Sequence, residues 1–337
     1  MTNKDYIRYI ISKIIVNTGM CKLSRFLYPK DGCIILYGHR VEGNDEGFLS
    51  GLHVDDFESI IKYLSKYYHF ISLSELVECY RYKKKVPKMS VVLTFDDGFK
   101  DNYINALPIM EKYNVPSTIF LATGCIDSGR LPWPQRLGYI IQRTGKKFFP
   151  KDNYNENEIF LGNNEDRRKV TKHFRKKLST LSAVSREKYI DELSAILEVT
   201  EPSDRMLTWE QVKEMKVKGV TFGAHSVSHS LLGQIEFNEA KEEIDQSAKR
   251  VKEVLEINSL PFAFPGGSIS QELVDYVRER NFDCLFMPGR SYRVNTLQNT
   301  TRYSLARIGI INGSSDIMQA ELDGPLNIIR NICLKRK

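Results

Sequence analysis

The sequence lacks the features that mark several classes of protein. Its 337 residues include six cysteines, and no two of them form a Cys-x-x-Cys pair. Several cysteines lie in apolar runs such as CIILY and CLFMP, which favours reduced core residues over a disulfide framework. No apolar run is long enough for a transmembrane helix. No basic patch is interleaved with aromatic residues, so we expect no nucleic-acid partner.

The bulk composition is that of a globular protein, with 42% hydrophobic and 27% charged residues. The length permits one large domain or two modest ones. A formal net charge of +7 fits an anionic substrate or an acidic membrane surface. A solvated basic surface is the simpler explanation of the same charge.

The amino-terminal residues contain no apolar core of the length found in signal peptides, because Arg8 and Lys13 interrupt it. Together with the reduced cysteines, this leads us to expect a cytoplasmic protein. Residues 1–30 are predicted to form an amphipathic helix region that either docks on the domain or lies on the inner face of a membrane. Residues 313–337 form a basic C-terminal tail of similar character. Isoleucines at helical spacing carry this prediction: Ile7, Ile10, Ile11, Ile14 and Ile15.

Short apolar runs recur between helical patterns along the chain. Strands of a parallel sheet that helices cover on both faces appear in a sequence as such continuous apolar runs. We therefore predict an α/β barrel or a doubly wound sheet. Residues 131–203 carry no strand signal and are strongly charged. We interpret them as a mainly helical insertion, either a lid over a substrate or a solvated helical face. The runs cover residues 33–37, 91–95, 117–122, 220–224, 261–264, 284–287 and 305–311.

Two adjacent carboxylates, Asp96 and Asp97, end one of these buried runs. His225 and His229 lie four residues apart after another run, and imidazoles at that spacing can share a metal ion. A divalent cation would hold one carboxylate ionised as a ligand and leave the other free to take a proton from water. The alternative for the acidic pair is an ordinary turn between a strand and a helix N-cap.

Three blocks, TFDDG (94–98), HSVSH (225–229) and FAFPGG (262–267), resemble the signature of the polysaccharide deacetylases, carbohydrate esterase family four. The resemblance implies a distorted (β/α)7 barrel over residues 31–312, interrupted by the insertion. It also implies a metal-dependent hydrolase of amide bonds that removes N-acetyl groups from an amino sugar. The partner would be an N-acetylated saccharide, in a polysaccharide or in a lipid- or nucleotide-linked intermediate.

The resemblance assigns roles to individual residues. Asp97, His225 and His229 become ligands of a divalent metal, by default Zn2+, with Co2+ or Ni2+ as alternatives. Asp96 becomes the general base. The segment ILYGHRV (35–41) resembles the circularly permuted, exopolysaccharide-type branch of the family, which makes His39 the general acid. A histidine that caps a strand end with a structural hydrogen bond is the alternative for His39.

Further residues complete the predicted site. Arg307, on a late strand, replaces the arginine that many relatives use to orient the base, although an ordinary salt bridge also explains it. Trp133 and Arg136 resemble a block near the active-site mouth, where Trp133 either stacks on a sugar ring or packs inside the insertion. Backbone N–H groups after the FAF strand are predicted to form an oxyanion hole, with a plain turn as the alternative. These residues are Pro265, Gly266 and Gly267.

Two other functions are compatible with the same residues. A deformylase or O-acetyl esterase acting on a lipid-linked sugar would use the same metal chemistry on another acyl group. A catalytically inactive barrel that only binds saccharides belongs to a different class of protein. Metal content and acyl release distinguish them.

Overall fold

A computed structural model of the protein describes residues 3–42, 51–151, 156–288, 294–311 and 313–325. Among these residues, no helix combines the length and the apolar character needed to cross a membrane.

Seven strands form a curled parallel sheet at the centre of the molecule. Six of them are hydrogen-bonded in the order β7-β4-β3-β1-β9-β8, and β2 pairs with β3 outside this order. Nearly every predicted apolar run therefore becomes a strand, and the predicted α/β class is confirmed. The strands are β1 Cys33–Gly38, β2 His69–Phe70, β3 Ser90–Phe95, β4 Ser117–Leu121, β7 Thr221–Ala224, β8 Phe286–Met287 and β9 Leu305–Gly309.

The predicted strand over residues 261–264 is reduced to one bridged residue, Phe262. Phe262 pairs with Ala224 at the end of β7 and with Leu285 beside β8. Pro261 precedes Phe262 and Pro265 follows three residues after it, so the segment cannot supply a continuous ladder of N–H donors. These single-residue bridges join the two ends of the hydrogen-bonded order and close the curled sheet into a distorted barrel.

Both faces of the strands are buried, which explains why the runs show no polar alternation. In β1, Ile34 and Leu36 pack into the apolar cluster between the sheet and the surrounding helices. Their neighbours Cys33 and Ile35 belong to a second cluster on the opposite face. The polar ends of the strands are therefore the part of the barrel that is available for chemistry.

Helices surround the barrel, and several of them begin at a side chain that caps the helix. Thr208 and Gln211 form the capping box that the sequence predicts for α9, and Ser72 and Glu75 form another at α4. A short π-helical stretch, Asn102–Ala106, leads into α5. The helices outside the insertion are α1 Asn3–Asn17, α2 Met20–Leu27, α3 Val54–Tyr67, α4 Leu73–Arg81, α5 Leu107–Lys112, α9 Trp209–Val217, α10 Phe237–Leu255, α11 Gln271–Glu279 and α12 Ser315–Asp323.

The insertion consists of α6 (Trp133–Arg143), α7 (Asn164–Leu178) and α8 (Ala183–Ile196). It also contains a small antiparallel pair, β5 (Phe148–Phe149) with β6 (Ile159–Phe160), which the sequence did not predict. Strands of two residues are too short to show a periodic pattern. The insertion encloses its own apolar cluster, so it is a packed subdomain, and most of its charges cover the outer faces.

The predicted C-terminal tail begins with a folded helix. Met318 and Leu322 of α12 are buried, and α12 packs against α1, α2 and α3. Residues 326–337, which carry most of the basic character of the tail, lie outside the described residues.

Candidate active site

A sharp turn after β3 separates the two adjacent aspartates. Asp97 and Gly98 both adopt positive φ angles, 76° and 86°. A Cβ atom on Gly98 would lie 2.9 Å from the Leu121 side chain, so the turn requires glycine both for its backbone angle and for space. Aspartate tolerates the left-handed region better than most residues. As a result, the carboxylates of Asp96 and Asp97 meet different partners.

The Asp97 carboxylate lies against the two histidines that the sequence pairs. Its Oδ1 atom is 3.4 Å from His225 Nε2 and 3.1 Å from His229 Nε2, and all three side chains are buried. His225 follows β7, and its Nδ1 lies 2.8 Å from the carbonyl oxygen of Ala263. Nδ1 donates to that carbonyl, so in the neutral imidazole Nε2 carries the lone pair and directs it toward Asp97.

These three residues fit a divalent cation. Asp97 Oδ1 and His229 Nδ1 are buried atoms without a hydrogen-bond partner. Asp97 Oδ1 and Nε2 of a neutral His225 would face each other as two electron-rich buried atoms, an arrangement that a cation between them would relieve. One candidate ligand atom from each residue lies within 4.8 Å of the others, and two imidazoles with one carboxylate form a donor set that zinc accepts.

The Asp96 carboxylate is held by an arginine instead. Arg307 Nη1 donates to Oδ1 at 2.7 Å and Nη2 donates to Oδ2 at 2.8 Å, so the pair is bidentate. Arg307 lies on β9, where it pairs in register with Ile35 of β1. Burial raises the pKa of Asp96, but the Arg307 charge outweighs this and the pKa lies below its ordinary value. The Asp96 carboxylate is therefore held ionised in a fixed orientation, and its role as the general base stays a prediction.

His39 follows β1 and lines the same cavity as both aspartates. This cavity has a volume of about 940 Å³. The His39 side chain is exposed, and its backbone carbonyl accepts a hydrogen bond of 2.9 Å from Asn102 Nδ2. The structure thus brings His39 to the cavity that holds Asp96 and Asp97, and its role as the general acid stays a prediction.

Only one of the three residues predicted for the oxyanion hole remains a candidate donor. Pro265 has no N–H, and the Gly267 N–H donates to the carbonyl oxygen of Phe264 at 3.0 Å. Gly266, which also lines the cavity, has a φ angle of 58° and is the remaining candidate. The prediction fails for Gly267 because residues 265–267 form a 3-10 turn, in which the Gly267 N–H is used within the turn.

Trp133 belongs to the core of the insertion. Its ring is 1% exposed, and the guanidinium of Arg186 lies over it, 5.0 Å from the ring centroid. This burial favours the packing alternative over stacking on a sugar. The indole N–H donates to the carbonyl oxygen of His229 at 2.9 Å, so Trp133 supports a candidate metal ligand. Arg136 is buried in ion pairs with Asp191 and Glu201 and has a structural role inside the insertion.

Three supporting residues were missed in the sequence. Gln135 Nε2 lies 3.2 Å from Asp97 Oδ2. Glu243 on α10 accepts the backbone N–H groups of residues 227 and 228 at 2.8 and 2.9 Å. Arg186 on α8 donates to the hydroxyl oxygens of Ser228 and Ser230. In the sequence, Arg186 and Glu243 look like ordinary charges on solvated helices, and no local signal marks them as buried.

Comparison with known proteins shows which family this chain resembles. A family model described as polysaccharide deacetylase matches residues 83–285, more than half of the chain. The poly-beta-1,6-N-acetyl-D-glucosamine N-deacetylase of Staphylococcus epidermidis is 35% identical over 115 residues, which are 30% of this chain and 39% of that protein. A Staphylococcus aureus protein of the same name is 45% identical over 69 residues, 20% of this chain and 23% of that protein. The matched segments therefore span well under half the length of these curated relatives.

Solved structures extend the likeness to most of the chain. The Streptococcus pyogenes deacetylase PplD, in complex with acetate, has a TM-score of 0.57 at 20% identity and covers 85% of this chain and 96% of its own. IcaB from Ammonifex degensii has a TM-score of 0.57 at 17% identity and covers 87% of this chain and 97% of its own. At such low identity the structural likeness shows the fold alone, and it confirms the predicted barrel. Because the family model covers more than half of the sequence, the chain belongs to the polysaccharide deacetylase family.

Proposed function

We propose that this protein hydrolyses the N-acetyl group of an amino sugar in a polysaccharide or a lipid-linked glycan. One observation carries the proposal: a buried Asp97–His225–His229 group and a separate, arginine-bound Asp96 line one cavity. Members of the family are generally metal-dependent. The family membership and the curated relatives support an N-acetylated saccharide as the substrate class.

The chain's own residues divide the reaction among them. When bound, a divalent cation, which we propose to be Zn2+, would activate the attacking water and polarise the acyl oxygen. Asp96 takes the proton that the attacking water loses, and Arg307 keeps its carboxylate in one orientation. Gly266 donates its N–H to the acyl oxygen as negative charge develops. The amide C–N bond breaks, His39 protonates the leaving nitrogen, and acetate and a free amino sugar are released.

Two substitutions test this division of roles. Asp96→Asn should retain the metal and lower kcat by about 10²- to 10⁴-fold, because it removes the base and keeps the shape. His229→Ala should lose both metal and turnover. Asp55→Asn is the matched control, since the Asp55 side chain is 90% exposed and lies on α3, away from the cavity.

The measurements are metal content of the purified variants and acetate or formate release from a panel of acylated oligosaccharides. Formate release without acetate release would replace the deacetylase by a deformylase. A wild-type protein that binds no divalent metal and releases no acyl group would instead favour a saccharide-binding barrel. The cytoplasmic location expected from the sequence stays a proposal, which fractionation of untagged protein checks.

A further inference from the structure

Helix α1 turns its apolar stripe outward. Ile7, Ile10 and Ile14 lie on one face of the helix and are between 38% and 56% exposed. The opposite face, which contains Ser12 and Ile15, is buried against the protein. An amphipathic helix that only docks on its own domain would place the isoleucine stripe inside. Exposing it to water is unfavourable, so the stripe requires a partner outside the described residues.

Helix α2, which contacts α1, shows the same inversion. Leu23, Phe26 and Leu27 are 57%, 82% and 54% exposed, whereas Cys21 and Ser24 are buried. Nine of the 17 large apolar side chains that are exposed in the described residues fall within residues 6–28. Such a concentration in so short a segment is not the scattered exposure that ordinary surfaces show. We call the exposed side of α1 and α2 the α1–α2 face.

Basic residues outnumber acidic ones on α1 and α2, where Asp5 is the single acidic residue. Residues 6–30 contain five basic and no acidic residues. Lys13 and Lys22 are exposed on these helices, while the other three basic residues form ion pairs with acids of α12. A basic, apolar face is complementary to an anionic lipid surface. Two copies pressed together through this face would bring like charges into contact, which disfavours a second copy as the partner.

The α1–α2 face also lies beside the catalytic cavity. Arg8 of α1 pairs with Glu321 of α12 at 2.7 Å, and both residues line the cavity wall. We propose that the α1–α2 face docks on an anionic membrane surface, with its apolar side chains at the boundary of headgroups and acyl chains. Docking there brings the cavity mouth to a glycan carried on a lipid, and this second step rests on the proposed deacetylase function.

Co-sedimentation of the full chain with lipid vesicles tests the docking directly. We expect binding to vesicles of phosphatidylcholine with phosphatidylglycerol, weaker binding to pure phosphatidylcholine, and weakening by salt. The triple variant Ile10→Ser, Ile14→Ser, Phe26→Ser should bind about tenfold more weakly or worse, since it removes three large apolar side chains. The matched control removes three exposed apolar side chains elsewhere: Val184→Ser, Ile196→Ser and Val217→Ser.

Several results would overturn the proposal: no sedimentation of the wild type, equal binding by the triple variant, or an equal loss in the control. A dimer that the triple variant dissociates would assign the face to a second copy. A lower Tm of the triple variant without vesicles would assign it to another part of the same chain. Asp96→Asn should bind vesicles like the wild type, and the triple variant should deacetylate soluble oligosaccharides normally. Failure of the docking and failure of the deacetylase are thus distinguishable.

Discussion

Asp96 and Asp97 are neighbours in the chain but lie in opposite electrostatic environments. The Asp96 carboxylate is bound at both oxygens by Arg307, so the protein itself balances its charge. The Asp97 carboxylate has one buried oxygen without a hydrogen-bond partner, facing the lone pair of His225. One half of the site is complete as the chain folds, and the other half is complete only with a cation. The two halves should therefore fail in different ways.

The largest expected effect is that metal reverses the order of stability of the variants Asp96→Asn and Asp97→Asn. In the metal-free protein, Asp96→Asn should lower the free energy of unfolding by about 3 kcal/mol, because it leaves a largely buried Arg307 without its carboxylate partner. Asp97→Asn should lower it less, since the Asp97 carboxylate lies beside two imidazoles and the Gln135 amide and has no guanidinium bound to both of its oxygens. Asparagine also tolerates the positive φ angle.

Adding metal should reverse the order of these two variants. Under the proposed function, zinc should raise the Tm of the wild type. Asp96→Asn should keep this rise, whereas Asp97→Asn should lose it, because of the two aspartates only Asp97 is a candidate ligand. Thermal melts with a chelator and with excess zinc measure both effects. If both variants responded to zinc alike, the division of the site into two halves would be wrong.

The sequence contained the half of the site that depends on local motifs. Asp96, Asp97 and His225 directly follow buried runs, His229 comes four residues after His225, and the structure brings all four to one end of the barrel together with Arg307. Trp133 shows one limit of prediction from sequence, because its neighbouring residues do not reveal whether the indole faces a substrate or a core. The isoleucine stripe shows a second limit, because its spacing predicts a helix but not which face of the helix turns toward the protein. Both depend on which distant elements pack nearby, which a single sequence does not state.

A smaller effect should follow from the contact between the insertion and the histidine loop. Arg186 is fully buried and donates to Ser228 and Ser230 on either side of His229. Arg186→Met should weaken zinc binding about 10- to 100-fold, as loss of supporting contacts around metal ligands does. The Asp96–Arg307 half should be unaffected. Arg168→Met, on an exposed position of the same insertion, is the control.

A purely structural role for Arg186 would give a different result. In that case Arg186→Met would lower the Tm of the metal-free protein without changing the zinc affinity of the folded fraction. Ser230→Ala, which removes only a hydroxyl partner of Arg186, should weaken zinc binding in the same direction and by less. Zinc titration followed by calorimetry separates the two explanations.

The smallest effect that we expect is that of Trp133→Phe, which tests a single hydrogen bond behind the Asp97 half of the site. The substitution keeps an aromatic ring in the insertion core but removes the N–H that binds the carbonyl oxygen of His229. A buried carbonyl that loses its donor costs about 1 kcal/mol, so zinc affinity should fall by less than about tenfold. Trp209→Phe, at the other tryptophan of the chain, is a matched control, because that ring is also buried but lies on α9.

Steady-state kinetics distinguish support of a ligand from contact with the sugar. If the indole only holds His229, Trp133→Phe should leave KM for the saccharide unchanged at saturating zinc, and excess zinc should restore kcat. If the indole stacks on a sugar ring, KM should rise and zinc should not restore it. Because the ring is 1% exposed and covered by Arg186, we expect the first outcome. A raised KM would show that the insertion opens during turnover and that Trp133 belongs to the substrate side of the cavity.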